Sequence, residues 1–239
     1  MRQRLTNLFW SNRSFKAKIF SSLFLLFFFY QLWVLLHIIL WVVVNPSESA
    51  FMETRLEYLQ EKDEKATLRH QWVNYNQVSI HIKQAVIAAE DAKFIDHEGF
   101  DWEGIEKAYE KNKRRKKIVA GGSTISQQLA KNLFLSNQRT PWRKAEETII
   151  TLMLETILTK KRILEIYLNV IEWGNNVYGI EAASLHYFST HAKDVNSFQS
   201  AKLASMIPNP KYYERHQDSS GLIERSGIIL SRMSGASVP

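Results

Sequence analysis

The sequence predicts a mainly α-helical protein, built from one membrane-spanning helix near its N-terminus and a helical domain that follows it. Three observations support this fold class. A long uncharged apolar run lies close to the N-terminus, apolar residues recur at helical spacing through most of the remaining chain, and nothing in the pattern suggests a parallel sheet or a dinucleotide-binding unit. The length of 239 residues allows one domain of ordinary size plus an appendage.

The apolar run covers residues 19–44, which contain no charged side chain. Such a run can cross a hydrocarbon core, which needs roughly 20 helical residues. Its few polar interruptions are tolerable in a packed or interfacial helix: Ser21, Ser22, Gln31 and His37. A cleaved signal peptide would have a shorter core of about 7–15 residues, and a buried core helix would rarely be apolar all round. We therefore favour an uncleaved membrane anchor over both alternatives.

The charges on either side of this run predict its orientation. The tail of residues 1–18 carries five basic residues and no acidic one, whereas Glu48, Glu53 and Glu57 follow the run. Basic residues stay on the cytoplasmic side, so we expect the N-terminus inside and residues 46–239 outside. The tail also accounts for most of the net charge of +7, which leaves too weak a positive charge outside to suggest a nucleic-acid partner. The absence of cysteine excludes disulfides, thiol catalysis and zinc–thiolate sites.

The rest of the chain divides into a stalk, residues 45–70, and a domain, residues 71–235. The stalk contains a helix-compatible stretch at 51–68 and would lift the domain off the bilayer. An alternating stretch at 72–82 predicts a short strand or extended lead-in. Helical periodicity then predicts a series of helices before a frayed tail, over residues 82–94, 149–158, 163–170, 178–188, 198–206 and 222–233.

A run of like charges, Lys111-Asn-Lys-Arg-Arg-Lys-Lys117, separates the first two helical blocks. Its simplest interpretation is a solvated, mobile loop. A second interpretation, compatible with the first, is contact with anionic lipid head groups or with a phosphorylated substrate.

The stretch from Gly121 to Asn132 combines two glycines with a capped helix. Gly121 and Gly122 allow backbone conformations that are closed to other residues, and Thr124 with Gln127 forms a capping box. Free amides at such a helix start favour an anion. On the helix that follows, Gln128, Lys131 and Asn132 share one face, which suits a phosphate or a sugar. A capped surface helix is the competing interpretation, since capping boxes are common.

Two stretches on either side of this helix supply carboxylates. Glu90 falls on an apolar helix face, where burial would raise its pKa towards that of a general base, although a salt bridge to Lys93 or His97 explains the position equally well. Farther along, both Arg143 and Lys144 can reach Glu147 on a helix. Spacing does not decide which carboxylate faces the helix at 125–132, because Glu146 lies nearer the centre of the apolar stripe and Glu147 lies at its edge.

Five blocks in order make the sequence resemble the peptidoglycan glycosyltransferases of glycosyltransferase family 51, the domain found in class A penicillin-binding proteins. The blocks are Glu90-Asp91…Phe94…His97-Glu98-Gly99, Gly121 to Asn132, Arg143-Lys144…Glu147, Ile163 to Asn169, and Tyr178 to Ala183 with Tyr187-Phe188. The resemblance covers about residues 70–235. Neither Ser-x-x-Lys nor Lys-Thr-Gly occurs, so a transpeptidase domain is absent and a monofunctional transglycosylase is expected.

This resemblance implies a lysozyme-like helical lobe with a smaller membrane-proximal lobe, and polymerisation of lipid II into β-1,4-linked glycan strands. By motif match Glu90 is the general base on the acceptor 4-hydroxyl and Glu147 is the second catalytic carboxylate. Inversion at the donor sugar and release of undecaprenyl pyrophosphate are implied as well. The substrate-binding positions implied are Asp91, Ser123, Gln128, Lys131, Asn132, Arg143 and Lys144.

The resemblance also allows a divalent metal, Mg²⁺ or Mn²⁺, near Asp91 or Glu147, but no compact ligand motif supports it and no organic cofactor is expected. Expected partners are lipid II, the growing lipid-linked strand, the membrane, and other cell-wall synthesis and division proteins. The location implied is the bacterial inner membrane, crossed once, with the catalytic domain in the periplasm. Ser189 and Ser200 depart from the family pattern, which usually has glycine and glutamate there.

Two rival functions remain compatible with the residues. A lytic enzyme could cleave the same glycan, because a helical lobe with a buried glutamate serves either direction. A non-catalytic membrane scaffold for the division or elongation machinery is the other.

Overall fold

The computed structural model describes residues 15–117 and 121–239, and the prediction of a mainly α-helical chain is confirmed there. The helices are α1 (Phe15–Leu40), α2 (Ala50–Gln60), α3 (Ile80–Glu90), α4 (Trp102–Arg115), α5 (Ile125–Phe134), α6 (Pro141–Ile157), α7 (Lys160–Val170), α8 (Ile180–Phe188), α9 (Ser197–Met206), α10 (Pro210–Arg215) and α11 (Ser220–Met233). Three short strands accompany them: β1 (Arg69–His70), β2 (Glu172–Gly174) and β3 (Val177–Tyr178).

Helix α1 is the one helix within these residues that is long and apolar enough to cross a membrane. Its mean hydropathy reaches 2.3, and only 11% of its most apolar window is buried. That exposure contradicts the alternative of a buried core helix and is compatible with a membrane anchor. The helix begins at Phe15 and ends at Leu40, and residues 41–44 form a turn, so both of its ends lie about four residues before those predicted.

The segment predicted as a stalk packs against the domain. It is helical only over α2, where Met52 is buried and the Phe51 ring lies beneath the Lys131 ammonium. The guanidinium of Arg55 donates to the side-chain oxygens of Asn175 and Asn176 at 2.9 and 2.7 Å. Because these contacts tie α2 to distant parts of the chain, α2 is packed into the folded domain.

The stretch 72–82, predicted as a short strand or an extended lead-in, contains no strand. Residues 75–77 form a 3₁₀ turn between the extended residues Asn74 and Val78, and α3 begins at Ile80 behind its cap Ser79, so only part of an extended lead-in is observed. β1 pairs parallel to β3, which pairs antiparallel with β2 in a three-stranded sheet. Gly179 follows β3 with φ of +78°, and its α-carbon approaches the Asn169 carbonyl too closely for a side chain.

The basic run predicted as a loop is largely helical. Residues 111–115 form the last turns of α4, where cationic side chains complement the helix dipole. The sequence pattern concealed this helix because most of its exposed residues are charged. By the family resemblance the segment 111–120 would border the cleft and order on donor binding, but its residues 118–120 lie outside the described structure.

The core joins two helical groups. Helices α3, α9 and α11 pack together, while α5 packs against both α6 and α7. Apolar residues of α5, α6 and α7 are fully buried in the second group, among them Ile125, Leu129, Ile150, Leu154 and Ile163. This arrangement brings the end of α3 against the side of α5.

The C-terminal residues are not the frayed tail that the Ser/Gly content suggested. Ala236 and Val238 pack against the core, and the Tyr75 hydroxyl donates to the Pro239 carbonyl at 2.5 Å. Ser189 has φ of +53° at the end of α8, which explains why a glycine suits that position. Ser200 is buried and bonds back to the Asn196 carbonyl at 2.7 Å.

Candidate functional site

Glu90 is the last residue of α3, and its carboxylate meets side chains from two other helices. Oε2 accepts a hydrogen bond from Gln128 Nε2 of α5 at 2.9 Å, and Oε1 accepts one from Arg225 Nη2 of α11 at 3.2 Å. Burial raises the pKa of Glu90, while the Gln128 hydrogen bond and the Arg225 charge oppose that rise. The alternative salt bridges are wrong, because Lys93 pairs with Glu103 and His97 pairs with Asp91.

Gln128 is held in place by a second hydrogen bond. The hydroxyl of Tyr167, a fully buried residue of α7, donates to Gln128 Oε1 at 2.8 Å. Since that bond uses the oxygen of the amide, the nitrogen must face Glu90. The chain Tyr167–Gln128–Glu90 therefore fixes the orientation of the carboxylate.

Asp91, the next residue, is occupied by contacts within the protein. Its carboxylate accepts from His97 Nε2 at 2.9 Å and from the backbone amide of Ile125 at 3.0 Å. His97 Nδ1 accepts from the Gly99 amide, so Nε2 is the ring nitrogen that donates to Asp91. Asp91 thus ties the end of α3 to the start of α5, and its predicted role in substrate binding stays a prediction.

A cavity of about 190 Å³ lies beside Glu90, between the end of α3 and the start of α5. Glu90 and Ser123 line it together with Asp101, Gly121 and Gly122. Neither of these two glycines has a positive φ, contrary to the expectation of an unusual backbone. Packing instead favours glycine at position 122, because a β-carbon there would lie only 3.1 Å from the Ile105 α-carbon of α4. Ser123 is exposed to the cavity, as a substrate contact would require.

The second half of α5 carries the two remaining predicted polar residues. Lys131 lies one turn beyond Gln128, and burial lowers the pKa of its ammonium, as do the nearby charges of Arg143, Lys144 and Arg139. Glu147 acts in the opposite direction on Lys131. Asn132 is buried, and its side-chain nitrogen donates to the Gln128 carbonyl at 2.8 Å. The side-chain oxygen of Asn132 is then the atom that could accept a hydrogen bond from a ligand.

The structure decides between Glu146 and Glu147. Glu147 is buried, accepts from Arg143 Nη1 at 2.5 Å and is bonded to the Lys144 ammonium, on the side of α6 that faces Lys131. Glu146 lies beside the Tyr30 hydroxyl of α1. The predicted assignment of Glu147 to the site is therefore consistent with its position, and Glu146 belongs to the contact with the membrane helix.

Around Lys131 the cations outnumber the carboxylates. Arg139, Arg143 and Lys144 all act on Lys131, and Glu147 is the acidic residue that acts on it. The Arg143 Nε–H is buried and has no acceptor among the described residues. Such a cluster, with an unused guanidinium donor, suits an anionic ligand that offers several oxygens.

The residues near this cluster do not fit a metal site as they stand. Both oxygens of Glu147 are bonded to cationic side chains, and Asp91 is bonded to His97 and Ile125. Within residues 15–117 and 121–239 no group of three His, Asp or Glu side chains could hold a metal ion. We derive no step through a metal.

Three residues of this site were not predicted: Arg225, Tyr167 and Arg139. Arg225 is 135 residues from Glu90 in sequence, so no local spacing could connect them. Tyr167 lies in a block of the resemblance and could have been singled out as a polar group on a buried face. Arg139 precedes α6 and carries no helical signal.

A larger cavity, about 380 Å³, lies between α9 and α11 and is lined mainly by apolar side chains. Its lining contains neither Glu90 nor Glu147, so it plays no part in this site.

The chain matches a known protein family over most of its length. The transglycosylase family model matches residues 57–234. The chain belongs to the transglycosylase family. It is 62% identical over 210 residues to a biosynthetic peptidoglycan transglycosylase of Methylobacillus flagellatus, covering 88% of this chain and 92% of the relative. A protein of the same description from Chromobacterium violaceum is 59% identical over 222 residues, covering 93% and 97%.

These findings confirm the predicted family and, with it, a glycosyltransferase enzyme. The family model begins at residue 57, inside α2, so the catalytic domain takes in part of the segment predicted as a stalk.

Proposed function

We propose that this transglycosylase polymerises lipid II into β-1,4-linked peptidoglycan strands and releases undecaprenyl pyrophosphate. The observation that carries the proposal is the arrangement along α5. Glu90, a carboxylate with a raised pKa at the end of α3, lies beside the turn of α5 that contains Gln128. The cation cluster around Lys131 lies at the next turn of α5. A proton acceptor beside an anion site is what the transfer of a sugar from a pyrophosphate needs.

In the proposed reaction Glu90 removes the proton of the acceptor 4-hydroxyl. The hydroxyl oxygen then forms a bond to C1 of the donor sugar, and the bond from C1 to the pyrophosphate oxygen breaks. The electron pair of that bond stays on the pyrophosphate, whose added charge is stabilised by Lys131, Arg143 and Lys144. Attack from the face opposite the leaving group inverts C1, so the α-linked donor gives a β-linked product without a covalent enzyme intermediate.

Glu147 has a different task in this proposal. Because it is bonded to both Arg143 and Lys144, it keeps these two cations aligned while the pyrophosphate is absent. On the donor side it orients the cations towards the leaving oxygens. Ser123 and Asn132 bind sugar hydroxyls on either side of Gln128, and Asp91 acts by positioning α5.

Helix α1 supports the proposed location. It would cross the bacterial inner membrane once, with the basic tail of residues 1–18 in the cytoplasm and the domain in the periplasm. Lipid II is itself held in the membrane, so the anchor confines enzyme and substrate to one surface. Proteins of cell-wall synthesis and division are proposed partners at that surface.

One assay separates the proposal from its two rivals. Purified full-length protein is incubated in parallel with lipid II and with finished peptidoglycan, as wild type and as Glu90→Gln. We expect the wild type to form glycan strands from lipid II, the variant to form none, and finished peptidoglycan to remain intact. Shortening of finished strands without synthesis would establish the lytic enzyme, and a wild type inactive on both substrates would favour the scaffold.

A further inference from the structure

Arg162 of the catalytic domain forms hydrogen bonds to the outer end of the membrane helix. Arg162, in the first turn of α7, donates from Nε to the Trp41 carbonyl at 2.7 Å and from Nη2 to the Val44 carbonyl at 2.8 Å. Carbonyls at the end of a helix lack donors within the helix and favour a cation. Arg162 therefore caps α1 from another part of the chain.

Arg162 is itself held rigidly. Its Nη1 donates to Glu165 at 2.7 Å, both side chains of this ion pair are largely buried, and the guanidinium stacks over the Trp72 ring at 5.6 Å. Glu165 also accepts from the Tyr75 amide at 2.8 Å. Three guanidinium nitrogens are thus used at once, which fixes the direction in which α1 leaves the domain.

The last part of α1 and the turn that follows it also pack against the helix that carries the proposed substrate residues. Phe134 is the last residue of α5, and its ring lies 5.1 Å from that of Trp41 and 6.0 Å from that of Trp33. Lys131 lies one turn before Phe134 on this helix. The membrane helix is therefore in contact with the end of the proposed pyrophosphate site.

A third contact lies farther down α1. The Phe27 ring lies 6.3 Å from that of Trp142 in the first turn of α6, and Tyr30 lies beside Glu146. From Phe27 to Leu40, the last residue of α1, the helix rises about 20 Å. Because α1 contacts the domain at both ends of this length, it packs along the domain and is not attached to it at a single point.

We propose that Arg162 is a positioning residue that fixes the tilt of the membrane helix against the domain and so sets the height at which the cleft meets a membrane-held pyrophosphate. The proposal rests on the proposed function, because only a lipid-linked substrate has a fixed height above the bilayer. Trp41 and Val44, which Arg162 binds, lie outside the part of the chain that the family model matches.

The first test compares two substrates that differ in their attachment to the membrane. Arg162→Gln, Arg162→Lys and the wild type are reconstituted in vesicles as full chains, with undecaprenyl-linked substrate in the bilayer or a short-chain, water-soluble analogue added from solution. The control is Arg232→Gln, an exposed arginine in the last turn of α11. Rates and KM are measured for both substrates.

We expect Arg162→Gln to raise KM for the bilayer substrate about tenfold, because small misplacement of a reacting group is costly, and to change kcat/KM for the soluble analogue less than twofold. Arg162→Lys, which can still reach one carbonyl, should be intermediate, and Arg232→Gln should match the wild type. Equal losses on both substrates, or no loss on either, would overturn the proposal.

The second test measures the helix directly and does not depend on activity. Because the chain lacks cysteine, single cysteines at the exposed positions Val43 and Phe198 can carry two spin labels. We expect one narrow distance distribution in the wild type and a broad one in Arg162→Gln. An unchanged distribution would refute the role of Arg162 even if the wild type polymerised neither substrate, an outcome that would separately refute the proposed function.

Discussion

The two glutamates beside α5 occupy opposite electrostatic surroundings. Glu90 meets one neutral amide and one arginine at 3.2 Å, and burial raises the pKa of its carboxyl. Glu147 is bonded to two cations of its own helix and lies near a third, Lys131. Both side chains are largely buried. The two carboxylates therefore differ in the charges around them and not in their exposure to solvent.

This difference suits two different tasks. A carboxylate that holds its proton more readily is the better base, because it gains more on taking the acceptor proton. A carboxylate bonded to two cations keeps those cations assembled in the absence of an anionic ligand. If the contrast is functional, changes on the Glu90 side should alter proton transfer, and changes on the Glu147 side should alter anion binding and stability.

The largest expected effect is that of Glu90→Gln. The amide keeps the shape and the hydrogen bond from Gln128 but cannot take a proton, so we expect kcat to fall about 10³-fold. The measurement is the initial rate of strand formation from lipid II, with circular dichroism to establish folding. Glu98→Gln, at an exposed position of the same block, is the matched control and should retain wild-type activity. A Glu90→Gln enzyme with more than a tenth of the wild-type rate would remove Glu90 as the base.

Arg143→Gln should have the next largest effect. It removes the guanidinium whose Nε–H has no acceptor among the described residues, while Lys144 remains on Glu147. We expect kcat/KM to fall about 10²-fold, as on loss of one donor to a developing anion. Inorganic pyrophosphate, measured as a competitive inhibitor, should bind correspondingly more weakly.

Arg114→Gln, on the exposed face of α4, is the matched control for this loss of charge. If it weakened pyrophosphate inhibition as much as Arg143→Gln does, the general positive charge of the domain would explain the effect and the cluster around Lys131 would not.

Glu147→Gln should give a smaller loss of activity together with a loss of stability. The variant leaves Arg143 and Lys144 facing other cations without a counter-charge, so we expect a tenfold lower kcat and an unfolding free energy reduced by about 2 kcal/mol. Added pyrophosphate should raise the thermal midpoint of this variant more than that of the wild type, since the ligand supplies the missing charge. Glu146→Gln, one residue earlier and beside Tyr30, should show neither the loss of kcat nor the response to pyrophosphate.

The contrast between the two glutamates was only partly predictable from sequence. The capping box at Thr124 and Gln127 and the polar face of α5 are local features, and the structure confirms them. The partners of Glu147 lie three and four residues away on one helix, so spacing predicted them as well. The partners of Glu90 lie on α5 and α11, and only the packing of α3 against both brings them together.

The same distinction between local patterns and long-range contacts explains which parts of the fold could be predicted. Amphipathic helices with a clear apolar stripe were located to within a few residues, as for α8, α9 and α11. Helix α4 was missed because its sequence is dominated by charge. The strand that was one alternative for 72–82 is absent, because alternation over a short stretch does not exclude a 3₁₀ turn followed by a helix. The packing of α2 against Lys131 depends on contacts between distant residues, which no local pattern records.

The smallest expected effect, and the one that most directly tests the environment of Glu90, is that of Arg225→Gln. The Arg225 charge lowers the pKa of Glu90 against the larger, opposite effect of burial. Removing it raises that pKa further, so a larger fraction of Glu90 is protonated at any given pH and the acidic limb of the rate profile moves to higher pH. We expect the loss to be several-fold at low pH and to disappear as the pH rises through the new pKa. A role in folding alone would lower the rate by the same factor at every pH. Arg225→Lys should restore most of the wild-type profile, and Arg232→Gln, on the same helix, should leave it unchanged.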